Sequence, residues 1–72
     1  MKSDIVAVLD AAARQGWKVV ALDMILNTVM CQRGEEFVTW KFNVDGGNVD
    51  FFWGHYSNRA GAAHADFIER IS

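Results

Sequence analysis

Hydrophobic and polar positions recur along this chain with two different periods, and the changes of period divide it into elements. From Ser3 to Gln15, the residues Ile5, Val8, Leu9 and Ala12 recur at helical spacing, which predicts a helix with one apolar face. Ser3 is a suitable N-cap, and Asp4 suits the positive end of the helix dipole. Asp10 and Arg14 stand four residues apart on the opposite face, in the order that favours a weak ion pair. Gly16 follows where a left-handed terminating residue is wanted.

From Trp17 to about His55 the pattern becomes β-rich. Val19 to Leu22 is a short strand pattern. Asp23 to Asn27 could continue that strand or form a turn of helix. Thr28 to Cys31 reads as strand again. From Phe37 to Val44 the alternation is clear, with Val38, Trp40, Phe42 and Val44 on one face and Thr39, Lys41 and Asn43 on the other. Asp45-Gly46-Gly47-Asn48 is a strong hairpin signal, because a type I′ turn needs positive φ at both central residues. With Gly46 and Gly47 as the loop, Val44 faces Val49, Phe42 faces Phe51, Trp40 faces Trp53 and Val38 faces His55. The three apolar matches specify the register, since a slip of one residue would destroy them all.

From Asn58 to Ile71 the helical period returns. Ser57 or Asn58 can cap this helix, and Ala60, Ala63, His64, Phe67 and Ile71 form its stripe. The expected product is a single α+β domain spanning residues 1–72. It has two layers in the order α-β-β-β-α, with a three-stranded antiparallel sheet and both helices on the face of Trp40, Phe42, Phe51 and Trp53.

The opposite face is not wholly polar. In the same register Phe37 faces Tyr56, Lys41 faces Phe52, and Asn43 faces Asp50. A three-residue loop of Arg33, Gly34 and Glu35 sets Cys31 opposite Phe37 and Val29 opposite Thr39. Val29, Cys31, Phe37, Phe52 and Tyr56 would then form an outward apolar patch, a common mark of an interaction site. Two alternatives shrink it: a two-residue loop flips the first strand, or another segment folds over the patch.

Composition sharpens this picture. The chain has 72 residues, 51% of them hydrophobic, so its core is thin for so apolar a sequence. Seven of the nine aromatic residues lie between Phe37 and Tyr56. Disorder is excluded by the hydrophobicity, and a disulfide scaffold by the single cysteine, Cys31. A net charge of −2 argues against reliance on phosphate contacts. The longest uncharged stretch, Met24 to Gln32, is far short of a membrane span. Met1-Lys2-Ser3-Asp4 makes a poor leader, so a cytoplasmic protein with a reduced thiol and no membrane partner is expected.

Candidate chemistry is sparse. Only His55, His64, Cys31 and Asp23 could serve a metal or a nucleophilic site, and none has ligand or triad spacing. His64 and His55 read as hydrogen-bonded structural residues, and Cys31 as a small buried hydrophobe. Asp45 to Asn48 lacks the further carboxylates of a calcium loop and the following helix of a phosphate loop. No catalytic residue, metal or cofactor is expected, and the chain is read as a non-enzyme.

The run Gly54-His55-Tyr56-Ser57-Asn58-Arg59-Ala60-Gly61-Ala62-Ala63, with the α-β-β-β-α order, resembles the double-stranded RNA-binding domain. That family carries lysines where this chain has Asn58 and Arg59. The resemblance implies nucleic-acid binding through Arg59, Arg14 and Lys18. In general character the chain is similar to the small proteins of phages and mobile elements, anti-CRISPR proteins among them. That similarity implies an inhibitor that binds and occludes a partner protein. The leading expectation is accordingly a protein-interaction module using Phe37, Phe52 and Tyr56, with Lys41, Glu35 and Glu36 at the rim. A homodimer through the same face is the variant of this reading in which the partner is a second copy.

Overall fold

The computed structural model describes residues 3–72; Met1 and Lys2, and with them the leader reading, lie outside the described residues. Six elements follow in order: α1 (Asp4–Arg14), β1 (Lys18–Asp23), β2 (Thr28–Arg33), β3 (Glu36–Asp45), β4 (Asn48–Ser57) and α2 (Ala60–Arg70). The strands form one antiparallel meander in the order β1-β2-β3-β4. The α+β class and the antiparallel sheet are as expected, but the sheet has four strands rather than three.

The extra strand arises at Asp23. Its Oδ1 accepts hydrogen bonds from the N–H groups of Ile25 and Leu26 at 2.9 and 2.8 Å. This side-chain mimicry of a backbone turn reverses the chain, and Asn27 completes the reversal at φ 48°. The ambiguous stretch from Asp23 to Asn27 is therefore a hairpin turn, which splits the expected first strand in two.

The helices lie on opposite faces of the sheet, which corrects the two-layer arrangement. Val8 and Ala12 of α1 pack with Trp17, Val29, Cys31, Val38, Trp40 and Phe42. Ala63 and Phe67 of α2 pack with Met30 on the other face, flanked by Ala21, Phe37 and Ile71. Strand β2 is buried on both sides, so successive residues Val29, Met30 and Cys31 are all interior. A strand covered by helices on both faces carries a continuous apolar run rather than an alternating one.

Ser3 caps α1 as expected, its Oγ accepting from the Val6 N–H at 3.2 Å, and Gly16 takes φ 83° beyond the helix end. The buried face of α1 is Ala7, Val8, Ala11 and Ala12, while the expected core residues Ile5 and Leu9 are exposed. Trp17 and Trp40, edge to face at 5.4 Å, fill the space beneath the helix. Only the small-residue side of α1 fits closely over two indoles. On α2, Ala63 and Phe67 are buried, whereas Ala60 and His64 are exposed, which corrects the expected stripe.

The β3–β4 register holds from the Gly46-Gly47 turn as far as Lys41↔Phe52, including Val44↔Val49, Asn43↔Asp50 and Phe42↔Phe51. It then shifts. Thr39 pairs with His55, Val38 with Tyr56 and Phe37 with Ser57, so β4 carries one extra residue opposite Trp40. This β-bulge at Trp53-Gly54 overturns the expected Trp40–Trp53, Val38–His55 and Phe37–Tyr56 pairs. The β2–β3 loop is the two-residue alternative, closed by Arg33↔Glu36, and it sets Cys31 opposite Val38 and Val29 opposite Trp40. No helix among the described residues is long and apolar enough to cross a membrane.

Candidate protein-interaction surface

Strand β4 is an edge: among the described residues it has β3 on one side and no strand on the other. The bulge determines what this edge presents. Trp53 sits at φ 52°, a conformation costly for a bulky side chain, and is 73% exposed. The backbone there is held by the Arg70 guanidinium, whose Nη2 donates to the Trp53 carbonyl at 2.6 Å. The Trp53 indole meets only the edge of Phe52 among the aromatic rings, at 5.2 Å.

Beyond the bulge the faces exchange. Tyr56 lies on the α1 face, its ring 6.2 Å from Trp40 and 6.3 Å from Trp17, and remains 60% exposed. Beside it opens a groove of about 520 Å³ lined by Arg33, Glu35, Glu36, Tyr56, Ser57 and Asn58. The β2–β3 turn forms one wall and the end of β4 the other. Arg33 is already engaged: its guanidinium lies 4.1 Å over the Trp17 ring, donates to Gln15 O at 3.2 Å and pairs with Glu36 at 3.2 Å. Glu35 is exposed at the same turn.

The six residues expected to bind a partner therefore separate. Glu35, Glu36 and Tyr56 meet at the groove. Phe37, Phe52 and Lys41 fall on the face that α2 covers. Phe37 is half-buried against the Met30–Ala63–Phe67 cluster. Lys41 is no rim charge: its Nζ donates to Thr28 Oγ1 at 2.7 Å, Leu26 O at 3.2 Å and Arg70 O at 3.3 Å. Phe52 is half-buried beside it. The outward patch of Val29, Cys31, Phe37, Phe52 and Tyr56 does not exist as one surface. Val29 and Cys31 are interior, and Tyr56 is on the opposite face from Phe37.

The residues of the nucleic-acid alternative, Arg14, Lys18 and Arg59, are all exposed. Pairings Lys18↔Gln32, Arg33↔Glu36 and Phe37↔Ser57 put Lys18 and Arg59 toward the same end of the sheet as the groove. The Glu35 and Glu36 carboxylates stand among these cations, which weakens the field a phosphate backbone would meet.

Of the remaining candidates, Cys31 and His55 make structural contacts. Cys31 is fully buried, and burial pushes its thiol up to about 12. His64 is exposed on α2. His55 Nδ1 lies 3.1 Å from both oxygens of Asp66, which also accepts from Thr39 Oγ1 and pairs with Arg70 Nε at 3.3 Å. Partial burial pushes the Asp66 carboxyl up, but the hydrogen bonds from Thr39 and His55 and the charges of His55 and Arg70 outweigh it and hold it below its ordinary value. This cluster fastens α2 to β3 and β4. No group of three or more potential metal ligands converges among the described residues.

Trp53, Gly54 and Asn58 are the surface residues that sequence pattern missed. Gly54 was the available signal, because an isolated glycine within a strand pattern marks a bulge or a close backbone approach. Comparison of the chain with protein-family models, curated proteins and solved structures finds no match.

Proposed function

We propose that this protein is a non-enzymatic interaction module that binds a basic segment of another protein along the β4 edge and covers it. The observation that carries this reading is the groove beside Tyr56. Its one arginine is committed to Trp17, Gln15 and Glu36, leaving the Glu35 carboxylate and the exposed Tyr56 ring to meet a ligand. A carboxylate beside an aromatic face suits a lysine or arginine side chain, through charge and cation–π attraction together. Trp53, held outward on the same strand, is the kind of rigid aromatic anchor that dominates binding energy at interfaces. Backbone strain at an exposed aromatic supports the reading, since such strain concentrates at functional positions.

The bulge also defines the mode. An extra residue in mid-strand interrupts the ladder that a ten-residue strand such as β4 would otherwise offer to a foreign strand. Recognition is therefore by side chains rather than by strand addition.

The test is affinity capture from the native host with the wild type and with the double variant Glu35→Lys, Tyr56→Ser, read by mass spectrometry. A partner retained by the wild type and lost by the folded variant, with a Lys- or Arg-containing segment cross-linked near Tyr56, is expected. A partner held equally by both proteins overturns the assignment of the groove.

A further inference from the structure

The last two turns of α2 grip the sheet around the β4 bulge at three points. Lys41 and Phe52 form the last regular pair before the bulge, and Thr39 and His55 the first pair beyond it. On the near side, Lys41 Nζ donates to the Arg70 carbonyl at 3.3 Å. On the far side, the Asp66 carboxylate accepts from Thr39 Oγ1 and lies 3.1 Å from His55 Nδ1. The Arg70 guanidinium spans the gap between them. Its Nε pairs with Asp66 at 3.3 Å, and its Nη2 donates to the Trp53 carbonyl, inside the bulge, at 2.6 Å. Asp66 and Arg70 stand four residues apart, so one face of α2 supplies both halves of this bridge.

Docking of the helix does not need the central bond. The Ala63–Phe67–Met30 cluster and the two flanking contacts already fasten α2 to the sheet. The guanidinium nevertheless reaches on to Trp53, with Nη1 left buried and unpartnered among the described residues. A buried N–H without an acceptor is costly, so the seat is set by the two bonds at Nε and Nη2. What those bonds hold is a residue with little packing of its own. Trp53 sits at φ 52°, where a bulky side chain is disfavoured, and its indole is 73% exposed. A charge-assisted hydrogen bond to its carbonyl is of the stronger class and suits a residue that would otherwise relax.

We propose that Arg70, seated by Asp66, is the positioning residue of Trp53, fixing the backbone from which the indole is presented to a partner. The proposal rests on the reading of Trp53 as a binding anchor. Arg70 is itself only 11% exposed, so it serves a partner through Trp53 and not by touching it. An anchor already held in one conformation has less freedom to lose on binding, and such preorganisation raises affinity without a new contact. Arginine suits this role and lysine does not. The planar fork offers Nε to Asp66 and Nη2 to the carbonyl together, whereas an ammonium is a single point on a flexible stem.

The test is NMR relaxation of the backbone amides, with partner capture as a second measurement. In the wild type the Trp53 and Gly54 amides should be rigid, with order parameters of about 0.85. Arg70→Lys should lower both to below about 0.6. Asp66→Asn, which unseats the guanidinium from its other end, should loosen them too, and it decides the matter if Arg70→Lys does not fold. Val8→Ala opens a cavity under α1, on the opposite face, and should leave both amides rigid. Circular dichroism checks that each variant is folded. Trp53→Ala should lower partner capture by about tenfold or more, and Arg70→Lys by about threefold to tenfold. Rigid Trp53 and Gly54 amides in either folded clamp variant overturn the proposal and leave the binding surface standing. Loosening shared by Val8→Ala overturns it equally, as the mark of a general loss of stability. A partner lost by Trp53→Ala but held fully by Arg70→Lys overturns the positioning role. A partner indifferent to Trp53→Ala removes Trp53 from the binding surface and overturns the proposal with it.

Discussion

A Cβ placed on Gly54 would stand 2.7 Å from the Trp40 indole nitrogen and 2.9 Å from its Cδ1. No side chain is compatible with that approach unless the indole moves, and the indole is buried between Trp17 and Phe51. The bulge, the exposed Trp53 and the placement of Tyr56 on the α1 face accompany this close contact.

Gly54→Ala should therefore destabilise the fold by about 1–3 kcal/mol, the usual range for overpacking a filled core. Gly61→Ala is the control. Gly61 lies within α2 with nothing near its added Cβ, so the change should stabilise by about 0.5–1 kcal/mol through helix propensity. Urea unfolding of both variants checks the pair, and opposite signs are expected.

Phe37 and Tyr56, the two ends of the expected patch, should part company when each is replaced by serine. Phe37→Ser removes a half-buried ring from under α2 and should cost about 2–3 kcal/mol. Tyr56→Ser removes a largely exposed ring that touches Trp17 and Trp40 at its edge, and should cost about 0.5–1.5 kcal/mol. Denaturant midpoints measure both. Only the Tyr56 variant should stay folded and yet lose partner binding.

Asp66 ties α2 to the sheet and makes stability depend on pH. Its folded carboxyl titrates below the ordinary value of 3.8, so the unfolded chain takes up the proton first as pH falls. The stabilisation is thus fully present well above pH 4 and is lost as pH falls through the lower, folded value. Asp66→Asn should lower stability at neutral pH by about 1–3 kcal/mol, because the nearly buried Arg70 loses its carboxylate. It should also flatten the acid limb of a plot of stability against pH below about 4, where the unfolded carboxyl takes up its proton before the folded one.

Cys31 should resist thiol reagents while the protein is folded. Its sulfur is interior and its thiol is pushed up to about 12, so almost no thiolate forms at neutral pH. Labelling with an aromatic disulfide should be stoichiometric in denaturant and limited by unfolding in buffer. Rapid labelling of the native protein would contradict the burial of β2.

How far the sequence could be read depended on the range of the interaction that decided each feature. The Ser3 cap, the Gly16 stop and the Gly46-Gly47 hairpin are legible because each depends on residues within a turn of one another. The register spreads from that hairpin as far as Phe42↔Phe51 and Lys41↔Phe52 by simple counting. Of the candidate site, Glu35, Glu36 and Tyr56 were identified correctly as surface residues, but for a face that is not there. Counting past Phe52 missed the bulge and so assigned Tyr56 to the side of Phe37.

Tertiary structure alone decided the rest. Which residue of β4 faces Trp40 depends on the volume of an indole wedged under α1, and no local pattern encodes that volume. The side of α1 that meets the same indoles carries Val8 and three alanines and leaves Ile5 and Leu9 exposed. The alternation in β3 told one face from the other, but both faces of β2 are apolar, so nothing in the pattern could assign the second helix to either side. Local sequence determines where a chain turns and which residues are neighbours across the turn. Close packing determines which of several apolar surfaces is closed over, and that choice leaves Trp53, Tyr56, Ile5 and Leu9 exposed.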